Sequence, residues 1–184
     1  MPDLIEKRIA YVGFCGPIDS SAVTRLASAM NTAVNNQYDE IYLCFSSAGG
    51  YVGDGIFLYN HIRSLPIPIT MHNTGTVASI STTLFVAGET RYCAPHTVFM
   101  MHPVTIGAAG SMASEPLKAS LDAALCDEAR TEAILRERTS IPEDILSSRR
   151  TRDVYLTAEK AVEYGLVTEI KDFRLPTGNQ IFQV

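Results

Sequence analysis

Serine, histidine and paired glycines stand in this 184-residue sequence where apolar runs break off abruptly. Three such junctions are Ser46–Gly50, Asn73–Ser81 and Met101–Pro103. In open α/β sheets, ligands and chemistry gather beyond the carboxyl ends of strands, where such breaks fall. Ser79, in Gly75-Thr76-Val77-Ala78-Ser79-Ile80-Ser81, stands at the expected first turn of a helix, beside backbone N–H groups that lack intrahelical acceptors. A serine so placed could serve as a nucleophile, its developing oxyanion met by those amides. The commoner duty for such a serine is to cap the helix, and Ser81 and Thr76 compete for any nucleophilic role.

His102 ends the apolar run Val98–Met101 and precedes Pro103. A histidine there needs partners for both ring nitrogens, and could be either a general base or a structural residue. Gly49-Gly50 could present an amide to an oxyanion with no side chain in the way, or simply make a tight turn. Asp153 follows the arginine-rich run Arg149–Arg152 and could orient an imidazole or join a surface ion pair. His61, His72 and His96 lack metal-ligand spacing, so neither metal nor cofactor is expected.

The elements that would position these groups read as α/β, short apolar runs alternating with helical patterns. Strands are expected at Arg8–Cys15, Glu40–Phe45, Ile69–Asn73, Arg91–Ala94, Val98–His102 and Leu166–Ile170. Helices are expected from Asp19 or Ser20 to about Val34, over Gly53–Arg63, over Val77–Ala87, and from Ser114 to about Arg138. Leu117, Leu121, Leu125, Ala129 and Ala133 step by four along that last helix. Shorter helices fit Ile141–Arg149 and Ala158–Tyr164. Thr105–Gly110 reads as a flexible stretch, and the tail beyond Lys171 fits either a terminal strand or a loose segment.

With 46% hydrophobic and 19% charged residues, the chain suits a globular core rather than disorder. Its length suits one domain spanning 1–184, able to bury about 70% of its unfolded surface without staples. The net charge of −5 and the absence of a basic run argue against nucleic acid as a partner. No window of 18 unbroken apolar residues occurs, so no membrane span is expected. The scattered Cys15, Cys44, Cys93 and Cys126 form no C-x-x-C pair. Three of them sit in apolar runs, which fits buried thiols in a reducing, cytoplasmic setting. The N-terminus lacks the order of a signal peptide.

Taken together, the residues resemble the Clp protease proteolytic-subunit family over roughly Arg8 to Ile170. That family's S-P-G-G, G-x-A-A-S, M-I-H-Q-P, R-D and A-x-E-A-x-x-Y-G-L segments correspond to Ser47–Gly50, Gly75–Ser79, Met100–Pro103, Arg152-Asp153 and Ala158–Leu166. The resemblance implies a crotonase-like spiral with a protruding handle over about 105–138. It implies a serine endopeptidase with Ser79 as nucleophile, His102 as base, Asp153 as orienting acid and an oxyanion hole from Gly50 and Ile80. It also implies peptide or unfolded-protein substrates, and a homo-oligomer of stacked rings, usually of seven subunits, with Arg152 pairing across the rings. Ala48 replaces the usual proline, Pro103 the usual glutamine, and Thr151 the usual acid. The sequence starts almost at the first core strand, which puts docking of an AAA+ unfoldase in question. Competing expectations are a Clp-like subunit that assembles without cleaving, a crotonase-type acyl-CoA enzyme, and the Ser–Lys signal-peptide peptidase branch.

Overall fold

The computed structural model describes residues 7–107, 110–111 and 113–184. Ala108 and Ala109 of the expected flexible stretch, Met112 and the first six residues lie outside them. The described chain is an α/β structure around an eight-stranded mixed sheet ordered β6-β5-β3-β2-β1-β8, with β4 and β7 attached beside this path. Its strands are β1 (Ile9–Cys15), β2 (Glu40–Ser47), β3 (Ile69–Ala78), β4 (Thr90–Cys93), β5 (Val98–Met101), β6 (Val154–Thr157), β7 (Glu169–Ile170) and β8 (Ile181–Gln183). Its helices are α1 (Ser20–Asn35), α2 (Val52–Ser64), α3 (Ile80–Phe85), α4 (Ser114–Arg138), α5 (Glu143–Ser148) and α6 (Ala158–Glu163). All ladders are parallel except β5 with β6.

Strands β1 and β2 are apolar along most of their length because parallel strands are covered on both faces, whereas β3 also buries Thr70, His72 and Asn73. Ile41, Leu43 and Phe45 of β2 are fully buried, as are Ile69, Met71 and Val77 of β3. Helix α1 starts where the Asp19 carboxylate accepts the Ala22 N–H at 2.8 Å. It buries Ala22, Leu26, Met30 and Ala33, the i, i+4 stripe its sequence carries. Each fully buried Leu or Met of this kind contributes about 1.5–3 kcal/mol against exposure.

Strand β3 positions the site, and it forks. Residues Thr70–Asn73 pair with β4, whereas Thr76–Ala78 pair with β5. The buried Asn73 sits at the fork: its side-chain amide donates to the Val98 carbonyl at 3.1 Å, its Oδ1 accepts the Gly75 N–H at 2.9 Å, and its own carbonyl accepts the Ala94 N–H. The expected boundary moves here. Strand extends to Ala78, and the helix expected over Val77–Ala87 shrinks to Ile80–Phe85. Thr76, Val77 and Ala78 are held as strand by pairing with β5, a long-range constraint that overrides local helical spacing.

Helix α4 matches its expected bounds, but its apolar stripe is not covered within the subunit. Leu117, Leu121 and Leu125 are 52%, 48% and 57% exposed, and only Thr131, Glu132 and Leu135 near the C-terminal end are buried. The expectation of three buried thiols is also corrected: Cys44 and Cys93 are buried, whereas Cys15 and Cys126 are exposed. Cys15 is the last residue of its strand, beyond the cover that the core gives the preceding five. The tail forms the short strand β8, parallel to β1. Among the described residues, no helix is long and apolar enough to cross a membrane.

Candidate active site

Ser79 occupies the turn between β3 and α3 with φ 58° and ψ −133°. Only Gln37 and Ser79 among the described non-glycine residues have positive φ. Such backbone strain costs about 1–3 kcal/mol and persists where surrounding structure holds it. The hold is visible: the Ser79 N–H donates to the Met100 carbonyl at 2.8 Å, and its carbonyl accepts the Thr82 N–H at 3.0 Å. The Thr82 hydroxyl donates to the Met100 carbonyl as well, at 3.1 Å, tying α3 to β5. The result is a strand–turn–helix elbow that presents the serine outward, like the nucleophile elbows built on other sequences.

The Ser79 hydroxyl does not cap its helix. Its Oγ lies 2.8 Å from His102 Nε2. Parallel pairing of Ala78 with Met100 places the two strand ends side by side, which brings the imidazole within reach. The competing hydroxyl of Ser81 is buried with no hydrogen-bond partner, and Thr76 lies back in the strand. Val104, two residues after His102, donates its N–H to Glu128 Oε1 at 2.7 Å, so α4 fixes the segment leaving His102.

Amide donors stand beside this pair. Neither the Gly50 nor the Ile80 N–H has an acceptor among the described residues. The Gly50 backbone is clamped on both sides: Ile18 donates to the Gly49 carbonyl at 2.9 Å, and Tyr51 donates to the Ile18 carbonyl at 2.9 Å. A side chain on Gly50 would overlap the Ile18 carbonyl, so this approach needs glycine. Ser79, Gly50, Ile80 and His102 all line one cleft of about 210 Å³.

Asp153 is not joined to them by a hydrogen bond. Its exposed carboxylate accepts from the Tyr155 hydroxyl at 3.4 Å and lines a separate groove with Arg152, Tyr155 and Lys160. The backbone nonetheless sets it close, because antiparallel pairing of Met101 with Val154 puts His102 and Asp153 one register step further along. Arg152 is exposed and forms no salt bridge among the described residues. Sequence reasoning missed Arg149, Thr131 and Asp127, which line the cleft from the side of α4 and α5. Arg149 stands three residues after the buried Leu146, a helical spacing that placed it on the inward face. No group of three or more His, Cys, Asp or Glu residues among the described ones could hold a metal ion.

An alcohol and an imidazole in contact, beside free amide donors on a strained elbow, define a hydrolase-type site. The sequence profile of one family, Clp protease, matches residues 2–174, and the chain belongs to that family of proteases. It is 30% identical over 170 residues to the ATP-dependent Clp protease proteolytic subunit 3 of Rhizobium etli, covering 91% of this chain and 86% of the relative. It is 27% identical over 165 residues to proteolytic subunit 2 of Pseudomonas aeruginosa, covering 89% and 81%. The corresponding subunit 3 of Rhizobium johnstonii is 31% identical over 170 residues.

Proposed function

We propose that the chain is a serine endopeptidase acting through Ser79, His102 and Asp153, and that residues 1–184 work as one peptidase domain with a crotonase-like spiral. The observation that carries this is the 2.8 Å contact between Ser79 Oγ and His102 Nε2 on a strained elbow. His102 Nε2 takes the hydroxyl proton as Oγ bonds to the substrate carbonyl carbon, and the carbonyl electron pair moves onto oxygen. The Gly50 and Ile80 N–H groups receive that oxyanion. Collapse breaks the C–N bond, and the leaving amine takes the proton from Nε2. Water then repeats the sequence on the Ser79 ester, giving a carboxylic acid and the free hydroxyl.

For Nε2 to accept, Nδ1 must carry the other proton, and Asp153 is the acid we assign to it. Support comes from the β5–β6 register, which sets the two residues opposite one another. The assignment requires the carboxylate to leave Tyr155 for the imidazole when substrate binds; unliganded sites often hold such bonds loosely.

The exposed leucines of α4 support assembly: a 25-residue helix with an uncovered apolar stripe suits a handle packed against another subunit in stacked seven-membered rings. Arg152, without an ion-pair partner in its own subunit, is assigned to pair across those rings. The relatives are named as ATP-dependent; for this chain we assign cleavage of peptides or unfolded proteins inside an oligomeric chamber, in the cytoplasm, with no cofactor.

Reaction with a fluorophosphonate, followed by intact-mass and peptide mapping, tests the nucleophile. One adduct on Ser79, absent from Ser79→Ala and strongly slowed in His102→Ala, is expected. Labelling at Ser81, or none, ends the reading.

A further inference from the structure

The cleft beside Ser79 holds a buried cation that the proposed mechanism does not use. Arg149 is 5% exposed, and it lines the cleft together with Thr131 and Leu135. Its Nη2 donates to the Glu128 carbonyl at 3.2 Å and to Thr131 Oγ1 at 3.0 Å. Its Nε is buried with no hydrogen-bond partner, and Nη1 has no acceptor among the described residues. Its nearest carboxylate is Glu132, whose Oε1 stands 4.0 Å from Nε, so the buried guanidinium keeps open donors and no hydrogen-bonded acid, the partner that buried cations ordinarily have.

The neighbouring acids are engaged elsewhere. The Glu132 carboxylate is gripped at both oxygens by Arg150 and comes no nearer to Arg149 Nε than 4.0 Å. Glu128 accepts the Val104 N–H with Oε1, and its Oε2 is 3.9 Å from Arg150 Nε. Asp127, the other charged residue of this cleft wall, is paired with Arg130 at 2.7 Å. Arg149 is therefore the charge whose donors are left open beside the reacting centre.

We infer that Arg149 makes this cleft a subsite for an acidic side chain, so that cleavage is favoured after glutamate or aspartate. The inference rests on the peptidase reading and names its substrate class. We place the acidic residue at the position whose carbonyl is attacked, because Gly50, Ile80 and Arg149 line one and the same cleft. A carboxylate entering there supplies the acceptors that Arg149 lacks, through charge-assisted hydrogen bonds that a neutral amide cannot match.

The test uses the full-length protein and acyl-dipeptide aminomethylcoumarin substrates that differ only in the last residue: Glu, Gln, Leu or Lys. Fluorophosphonate labelling is run on the same preparations. The Glu substrate is expected to exceed Gln in kcat/KM by about tenfold or more, the scale of a charge-assisted bond. Arg149→Met, which keeps the apolar stem, is expected to bring the ratio close to one, while Arg149→Lys retains part of it. Equal turnover of Glu and Gln by the unaltered protein overturns the inference, and so does an unchanged ratio in Arg149→Met. The wild-type comparison decides even if Arg149→Met fails to fold. Labelling of Ser79 without cleavage of the Glu substrate overturns the subsite alone. Absence of both labelling and cleavage removes the peptidase reading with it.

Discussion

Gly49 and Ser79 fit together because Gly49 has no side chain: a Cβ there would stand 2.6 Å from Ser79 Cβ and 2.9 Å from the Ala78 carbonyl. Gly49 also has φ +100°, where an L side chain is strained. Gly49→Ala must therefore displace the nucleophile or the loop that presents the Gly50 amide. We expect peptidase kcat to fall by about a hundredfold, the scale of losing one oxyanion donor. Unfolding in urea should show a loss of about 1–3 kcal/mol.

Strain at Ser79 separates stability from activity. Ser79→Ala and Ser79→Gly both remove the hydroxyl, but only glycine adopts φ 58°, ψ −133° without penalty. Relief of about 1–3 kcal/mol outweighs the extra unfolded-state entropy of glycine, about 0.5–1 kcal/mol. The glycine variant should be the more stable of the two by about 1 kcal/mol in urea melts. Equal stabilities would show that the elbow stores no strain.

Asp153→Asn should lower kcat by about 10³–10⁴ if the carboxylate orients His102 during turnover. Tyr155→Phe releases the acid from its present partner and should leave kcat unchanged or raised. Steady-state kinetics on both variants checks the assignment; full activity in Asp153→Asn would remove Asp153 from the mechanism.

Buried His72 links stability to pH. Its Nδ1 lies 2.7 Å from the Tyr42 hydroxyl and Nε2 lies 3.0 Å from the Lys171 carbonyl. Burial holds the imidazole below its ordinary value; the Lys171 charge pushes the same way, and the Lys171 carbonyl bond and Asp172 oppose it. Between that lowered value and about 6.5 the unfolded chain binds the extra proton, so stability falls as pH drops below about 6.5. Above that range His72 contributes no slope. Urea midpoints at successive pH values should decline less steeply in His72→Phe, even though that variant is weaker at neutral pH.

Leu121→Glu with Leu125→Glu should reduce particle mass in sedimentation while leaving the far-ultraviolet circular dichroism unchanged, because both side chains face outward in the isolated subunit. Unchanged particle mass would exclude this stripe from assembly.

Much of this was legible before any coordinates. The apolar runs marked the strands because parallel strands are covered on both sides, and Ser114-Glu115-Pro116 marked the start of α4 because proline suits a first helical turn. Ser79, His102 and the Gly49-Gly50 pair stood out because each interrupts an apolar run. The elbow was not legible, since Val77–Ala87 carries helical spacing and long-range pairing with β5 and β2 holds Thr76–Ala78 extended. Arg149 read as one of an arginine-rich run; its spacing from Leu146 is the local sign of a shared face, but that the face is buried depends on the contacts with Glu128 and Thr131 of α4. The Asp153 carboxylate meets Tyr155 rather than His102 although β5 and β6 pair, and no sequence pattern encodes which partner it takes.

The fork in β3 has a consequence for how fast the site is ready. Ser79 and His102 directly follow adjacent strands of one ladder rather than lying on loops that must be gathered when substrate arrives. The entropy of bringing them together is surrendered once, when the chain folds, so turnover carries no ordering step for this pair and should be insensitive to solvent viscosity.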